Sequence, residues 1–124
     1  MRGIVGIALV VGLAGATANA GEEPKRMTAA DFVVDWQDLK GKTVTVTGCQ
    51  LVAVSTDYVI CRDGAVTFFF DSTKAEKEGR RRTLKTCTGS DEKRECIANL
   101  TGTVTEWVGG GASLAKVTFD WLAP

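Results

Sequence analysis

Between residues 41 and 54 (GKTVTVTGCQLVAV) apolar and hydroxyl-bearing positions alternate. Val44 and Val46 take one face; Thr43, Thr45 and Thr47 take the other. A period of two in β-favouring residues predicts a strand with one buried face. Gly48 interrupts the run, and an isolated glycine in a strand pattern marks a bulge or a sharp bend. Beyond it Leu51, Val52, Ala53 and Val54 are all apolar, so the second half of the strand reads as covered on both faces. A long first strand, bent so that it serves two packed layers, suits the opening of a small barrel.

The remaining elements are read around this strand. Upstream, Thr28 offers an N-cap and Asp31 an acid in the first turn. Phe32, Trp36 and Leu39 follow at i, i+4 and i+7, one face of a short helix that Gly41 ends. Aromatic residues at this spacing read as core-facing rather than as a ligand stripe. Downstream, 55–57 forms a turn and 58–62 (YVICR) returns. Asp63-Gly64 signals a second hairpin. The third strand, 65–71 (AVTFFFD), puts Val66, Phe68 and Phe70 on one face and Thr67 and Phe69 on the other.

Residues 71–85 (DSTKAEKEGRRRTLK) change the pattern completely. Ser72 or Thr73 suits a helix cap, and Thr73 to Glu76 has the capping-box spacing. Lys74–Glu78, Glu76–Arg80 and Glu78–Arg82 all lie at i, i+4. The apolar face is thin and Gly79 weakens its middle, so the expectation is a short exposed helix that frays after Gly79. The fourth strand, 96–107 (CIANLTGTVTEW), has Ala98, Leu100, Gly102 and Val104 on one face. Three glycines at 109–111 make a turn. The last strand, 114–122 (LAKVTFDWL), has Val117, Phe119 and Trp121 inward and Lys116, Thr118 and Asp120 outward.

Helix, three-strand meander, helix and two strands predict a mainly β fold. The expected form is a five-stranded OB-like Greek-key barrel with an N-terminal helix and a short helix between strands 3 and 4. Two stretches also carry a resemblance. Asp38-Leu39-Lys40-Gly41-Lys42-Thr43-Val44-Thr45-Val46-Thr47-Gly48 resembles the first strand of OB-fold domains related to the tRNA-anticodon-binding group. Leu100-Thr101-Gly102-Thr103-Val104 is similar to their fourth strand. The resemblance spans roughly 38–122 and implies a barrel that binds oligomers; it does not imply tRNA.

Composition adds the compartment. Met1-Arg2 and the apolar run 3–15, closed by Ala18-Asn19-Ala20, read as an export signal over 1–20. A retained N-terminal anchor is the rival, since 3–20 is almost long enough to span a bilayer. Residues 21–27 (GEEPKRM) read as a flexible lead, and 28–124 as a single OB-like domain. The chain carries fifteen basic and fifteen acidic residues; removing the signal takes away one of them, Arg2, and leaves a side-chain charge of −1. So small a charge supplies no global field to attract nucleic acid or an anionic membrane.

Four cysteines in an exported chain read as two disulfides. Three connectivities are possible on paper. Cys49–Cys61, placed opposite each other by a hairpin centred on Ser55, and Cys87–Cys96, closing a polar loop, are preferred. Gaps of eleven, twenty-five and eight residues between successive cysteines fit no zinc pattern, and no metal or cofactor is expected.

Candidate sites follow from the strand faces. Tyr58, Arg62, Thr67 and Phe69 fall outward on the second and third strands, the face on which OB-type barrels hold extended polymers. The plainer account packs Phe69 under the N-terminal helix and leaves Tyr58 edging the hairpin. Arg80, Arg81 and Arg82 form a basic cluster suited to phosphate, an acidic polysaccharide or a partner's carboxylates; the plainer account is a solvated helix face among glutamates. Catalysis is poorly provided for. The chain has no histidine, the usual base that activates serine. Asp31, Asp35 and Asp38 lie near one another on a helix surface, where carboxylates are ordinarily solvated. Asn99-Leu100-Thr101 matches a glycosylation sequon but falls in a paired strand.

The expectation is therefore a non-catalytic binding module, periplasmic or secreted, for an oligosaccharide, oligonucleotide or peptide. The alternative is an accessory envelope protein that docks through a sheet face or edge.

Overall fold

A computed structural model describes residues 23–89 and 91–124. The predicted signal, 1–20, lies outside the described residues. Those described form one six-stranded, mainly antiparallel sheet and two α-helices: β1 (Lys25–Thr28), α1 (Ala29–Leu39), β2 (Thr43–Ala53), β3 (Tyr58–Asp63), β4 (Val66–Asp71), α2 (Lys77–Thr86), β5 (Ile97–Glu106) and β6 (Ala112–Trp121). The strand order is β4-β3-β2-β5-β6, with β1 added to β2.

The long strand is β2, and its bend is where the sequence places it. Val46 faces Leu100 and Cys49 faces Ala98, so β2 spends one more residue than β5 over this interval. Gly48 takes up the surplus at φ +72°, a conformation that disfavours side chains. Its N–H leaves the ladder and donates instead to Asn99 Oδ1 at 3.0 Å. Asn99 is buried and its Nδ2 points to Asp120 at 3.5 Å, so this side chain serves the fold.

Strand count and closure both differ from the expectation. Lys25 to Met27, expected in a flexible lead, belong to β1, which runs parallel to β2 with Met27 beside Val46. The reason is an open edge. Strand β3 pairs with β2 only from Gln50 to Ala53, leaving the first half of β2 for another partner. β1 takes that edge, anchored by buried Met27 and by a 3.3 Å hydrogen bond from Thr47 Oγ1 to the Met27 carbonyl.

The barrel is not closed. Strands β4 and β6 end the ladder, and no backbone pairing joins them among the described residues. Part of the β6 edge is occupied by Glu76: its N–H donates to the Val117 carbonyl at 2.9 Å, and its Oε1 accepts from the Phe119 N–H at 3.3 Å. The seam is bridged elsewhere by Ser113, whose hydroxyl donates to the Phe69 carbonyl at 2.7 Å.

A second bulge lies in β6, between the pairs Thr101–Thr118 and Thr103–Ala115. It shifts the inward phase from Ala112 and Leu114 to Val117. Lys116 adopts φ +57° there. Opposite it, a Cβ on Gly102 would lie 2.8 Å from the Ala115 carbonyl oxygen, which explains a glycine in the middle of β5.

Helix α1 closes one end of the core. Thr28 Oγ1 accepts from the Asp31 N–H, Phe32 meets Phe68 edge-on at 4.9 Å, and Gly41 leaves the helix at φ +82°. The four cysteines form two disulfides, Cys49–Cys61 and Cys87–Cys96. The first hairpin is centred one residue later than expected, so Leu51 rather than Cys49 faces Cys61 and the bridge runs diagonally. The second joins the end of α2 to the start of β5, and the Ala53 N–H donating to the Cys87 carbonyl at 2.8 Å ties both to β2.

Helix α2 departs from the expectation at both ends. It starts at Lys77 because Thr73 does not cap it: Asp71 Oδ1 accepts from both the N–H and the hydroxyl of Thr73. It continues past Gly79 to Thr86. Gly79 is the contact point, since a Cβ there would sit 1.9 Å from Phe119 Cδ1. Alanine favours a helix interior by about 1 kcal/mol over glycine, yet overpacking costs about 1–3 kcal/mol. Gly79→Ala is therefore expected to lower stability in chemical denaturation, the opposite sign to that at an exposed helical glycine.

Candidate ligand groove

The hairpin turn at 54–57 and the glycine turn at 107–111 both border one hollow at the Tyr58–Asp71 end of the β3–β4 ladder. The first is pinned from α2 and the segment before it. Ser72 Oγ and Arg80 Nη2 both donate to the Thr56 carbonyl, at 3.2 and 2.6 Å, and the Ser72 N–H donates to the Asp57 carbonyl at 2.8 Å. The second turn is closed by hydrogen bonds between Trp107 and Gly110–Gly111. Between the turns lies a groove of about 590 Å³. Its walls include Asp57, Tyr58, Asp71, Trp107, Leu114 and Lys116.

The groove has an aromatic edge. Trp107 stacks on Phe69 with 5.5 Å between ring centroids and 21° between planes, and Tyr58 packs against both rings at 5.6 and 5.9 Å. Trp107 also borders a smaller hollow of about 280 Å³ beside α1, lined by Thr67, Phe69, Val33 and Trp36. The next residue, Val108, is 96% exposed.

Its polar groups are of both signs. Asp71 faces Tyr58 across the β3–β4 ladder. Hydrogen bonds from the Thr73 hydroxyl and N–H hold its carboxyl below the usual aspartate range, and Lys74 and Arg80 nearby add to the effect. Both Thr73 bonds go to Oδ1, leaving Oδ2 without a hydrogen-bond partner among the described residues. Glu106 is held at 3.3 Å by Lys40, which itself lies over the Trp36 ring.

No family model and no curated protein matches this sequence. Among solved structures the chain is similar to the hypothetical protein ygiW from E. coli, at 16% identity and a TM-score of 0.43, over 79% of this chain and 98% of that one.

The residues singled out by strand alternation do not gather in one place. Tyr58 lines the groove, while Thr67 and Phe69 line the neighbouring hollow and Trp107 forms the wall between. It is Phe68, not Phe69, that packs under α1. Half-buried Arg62 sits on the outer face, paired in register with Thr67 and Gln50.

The three arginines point to different partners. Arg80 holds the 54–57 turn, Arg81 pairs with Glu78, and Arg82 donates to the carbonyls of Glu95 and Ala123 at 2.8 and 2.7 Å while lying 4.2 Å over the Trp121 ring. Trp107 lies outside the alternation on β3 and β4, although its place before three glycines signals an aromatic at a turn. Asp57, Asp71, Lys74 and Lys116 join it only through tertiary structure.

The Asp71 shift has a checkable sign. A carboxyl whose pKa is depressed on folding adds stability above its ordinary value of 3.8, and that stability is lost as pH falls through the lower folded value. Asp71→Asn is expected to be less stable than the native protein at neutral pH. Denaturant melts between pH 7 and about pH 2 are expected to show the gap closing on the acid side.

Proposed function

We propose that this chain is a non-catalytic binding module of the OB type that takes an extended oligomeric ligand between its two turns. The OB reading is supported by the strand order, in which a three-strand meander is followed by a strand that returns to pair with the meander's first. Export is part of the proposal. Two disulfides in so small a domain fit an oxidising compartment.

The observation that carries the function is the groove, with an aromatic edge along the outer face of β3 and β4. Oligomer-binding OB folds use the corresponding strand face and flanking loops. Binding is favoured over acid–base catalysis by the character of Asp71. A carboxyl whose pKa is lowered from the ordinary aspartate value is a poor proton donor at neutral pH and a weak base. As a fixed hydrogen-bond acceptor it serves a ligand well.

The test is an amide-resolved NMR titration with a panel of short oligonucleotides, oligosaccharides and peptides. The expected outcome is saturable shifts concentrated on Tyr58, Asp71 and 105–116 for one member of the panel. A spectrum that stays unchanged with every member contradicts the proposal and moves the search to protein partners.

A further inference from the structure

The chemistry of the groove discriminates among those ligand classes. Its lining holds Asp57, Asp71 and Glu106 against Lys74 and Lys116. A single strand of nucleic acid needs a track of positive charge under its phosphates in addition to aromatic platforms. Here the platforms are present but the track is not, and a phosphate lying along β4 would meet the ionised Asp71.

A sugar ring without charge needs a different set of groups. Its C–H faces pack on an aromatic surface, and its hydroxyls, each a donor and an acceptor, need fixed polar partners at the rim. Tyr58 and Trp107 supply two ring surfaces tilted by 58°. Asp71 offers an unpartnered oxygen whose position is set by the two Thr73 bonds to its neighbour.

Lys116 provides a separate indication. It holds φ +57° in the β6 bulge, where glycine sits without strain, and it lines the groove. A residue other than glycine at positive φ on a groove wall is the kind of outlier from which a use for the side chain is inferred. An ammonium there can donate to hydroxyl or ring oxygens.

We infer that the groove binds a neutral saccharide, with one ring on the Tyr58–Trp107 edge and its hydroxyls bonded to Asp71 and Lys116. This rests on the binding-module reading above.

The test is calorimetric titration of the full chain with four probes: cellotetraose and tetra-N-acetylchitotetraose as neutral sugars, tetragalacturonate as the acidic sugar, and a thymidine octanucleotide. Each is run at about 20 and about 500 mM salt. NMR shifts locate each binder. The neutral tetrasaccharides are expected to bind at the groove, with affinity changing less than about twofold between the two salts. Trp107→Ala is expected to weaken binding at least about tenfold, the scale of one lost stacking contact. Lys116→Gly, which relieves the backbone, is expected to melt no lower than the native protein yet bind several-fold more weakly.

Binding of the oligonucleotide or tetragalacturonate at the groove, without the neutral sugars, overturns the inference and leaves the binding-module reading intact. Neutral-sugar binding that survives both substitutions also overturns it. Silence with all probes overturns the inference, and the binding-module reading then stands or falls with the peptide arm of the NMR titration above.

Discussion

The architecture depends on one displaced amide. At Gly48 the central strand has one residue more than its partner, so its N–H cannot remain in the ladder. Gly48 is only half-buried, so leaving its N–H unpaired costs up to about 1–3 kcal/mol, and the Asn99 side chain removes that cost by accepting it at 3.0 Å. The bend this permits lets β2 keep β5 beside it from Thr43 to Gln50 while pairing on its other edge with β1 along its first half and with β3 along its second. Both disulfides lie beyond the bend: Cys49–Cys61 spans the first hairpin, and Cys87 is bonded by its carbonyl to Ala53 at the end of the strand. The bridges constrain a geometry that the bulge has already set.

The candidate site grows out of the same economy. Since β4 and β6 do not pair, the outer face of β3 and β4 ends at a seam bridged by Ser113. Glu76 covers the neighbouring edge of β6, and α2 then sends Arg80 back to the 54–57 turn. The basic helix thus acts as a brace on the groove wall. Gly79 lets it lie against Phe119, and Arg82 over Trp121 fixes its far side. Charges that look available along the chain are largely spent on internal carbonyls and a ring.

Much of this was legible from the chain. Helix α1 follows from Phe32, Trp36 and Leu39 at helical spacing, the two hairpins from alternation and Asp63-Gly64, and the bend from Gly48. What was not legible depended on tertiary competition. β1 is four residues long with one buried side chain, too short for any period to show, and exists because β3 leaves an edge free. Thr73 has a capping-box sequence but bonds Asp71 instead, which delays α2 to Lys77. Gly79 reads as a weak point along a helix and is a packing requirement in space. The groove residues come from four separate segments, and only Tyr58 stood out by alternation.

The claim that the displaced Gly48 amide organises the sheet is tested most directly by amide hydrogen exchange on Asn99→Ala. The account predicts that global stability falls by about 1–3 kcal/mol, with protection lost together at Gly48 and at its neighbours across β1, β3 and β5. Faster exchange at Gly48 alone, with the rest of the sheet protected as before, would contradict it.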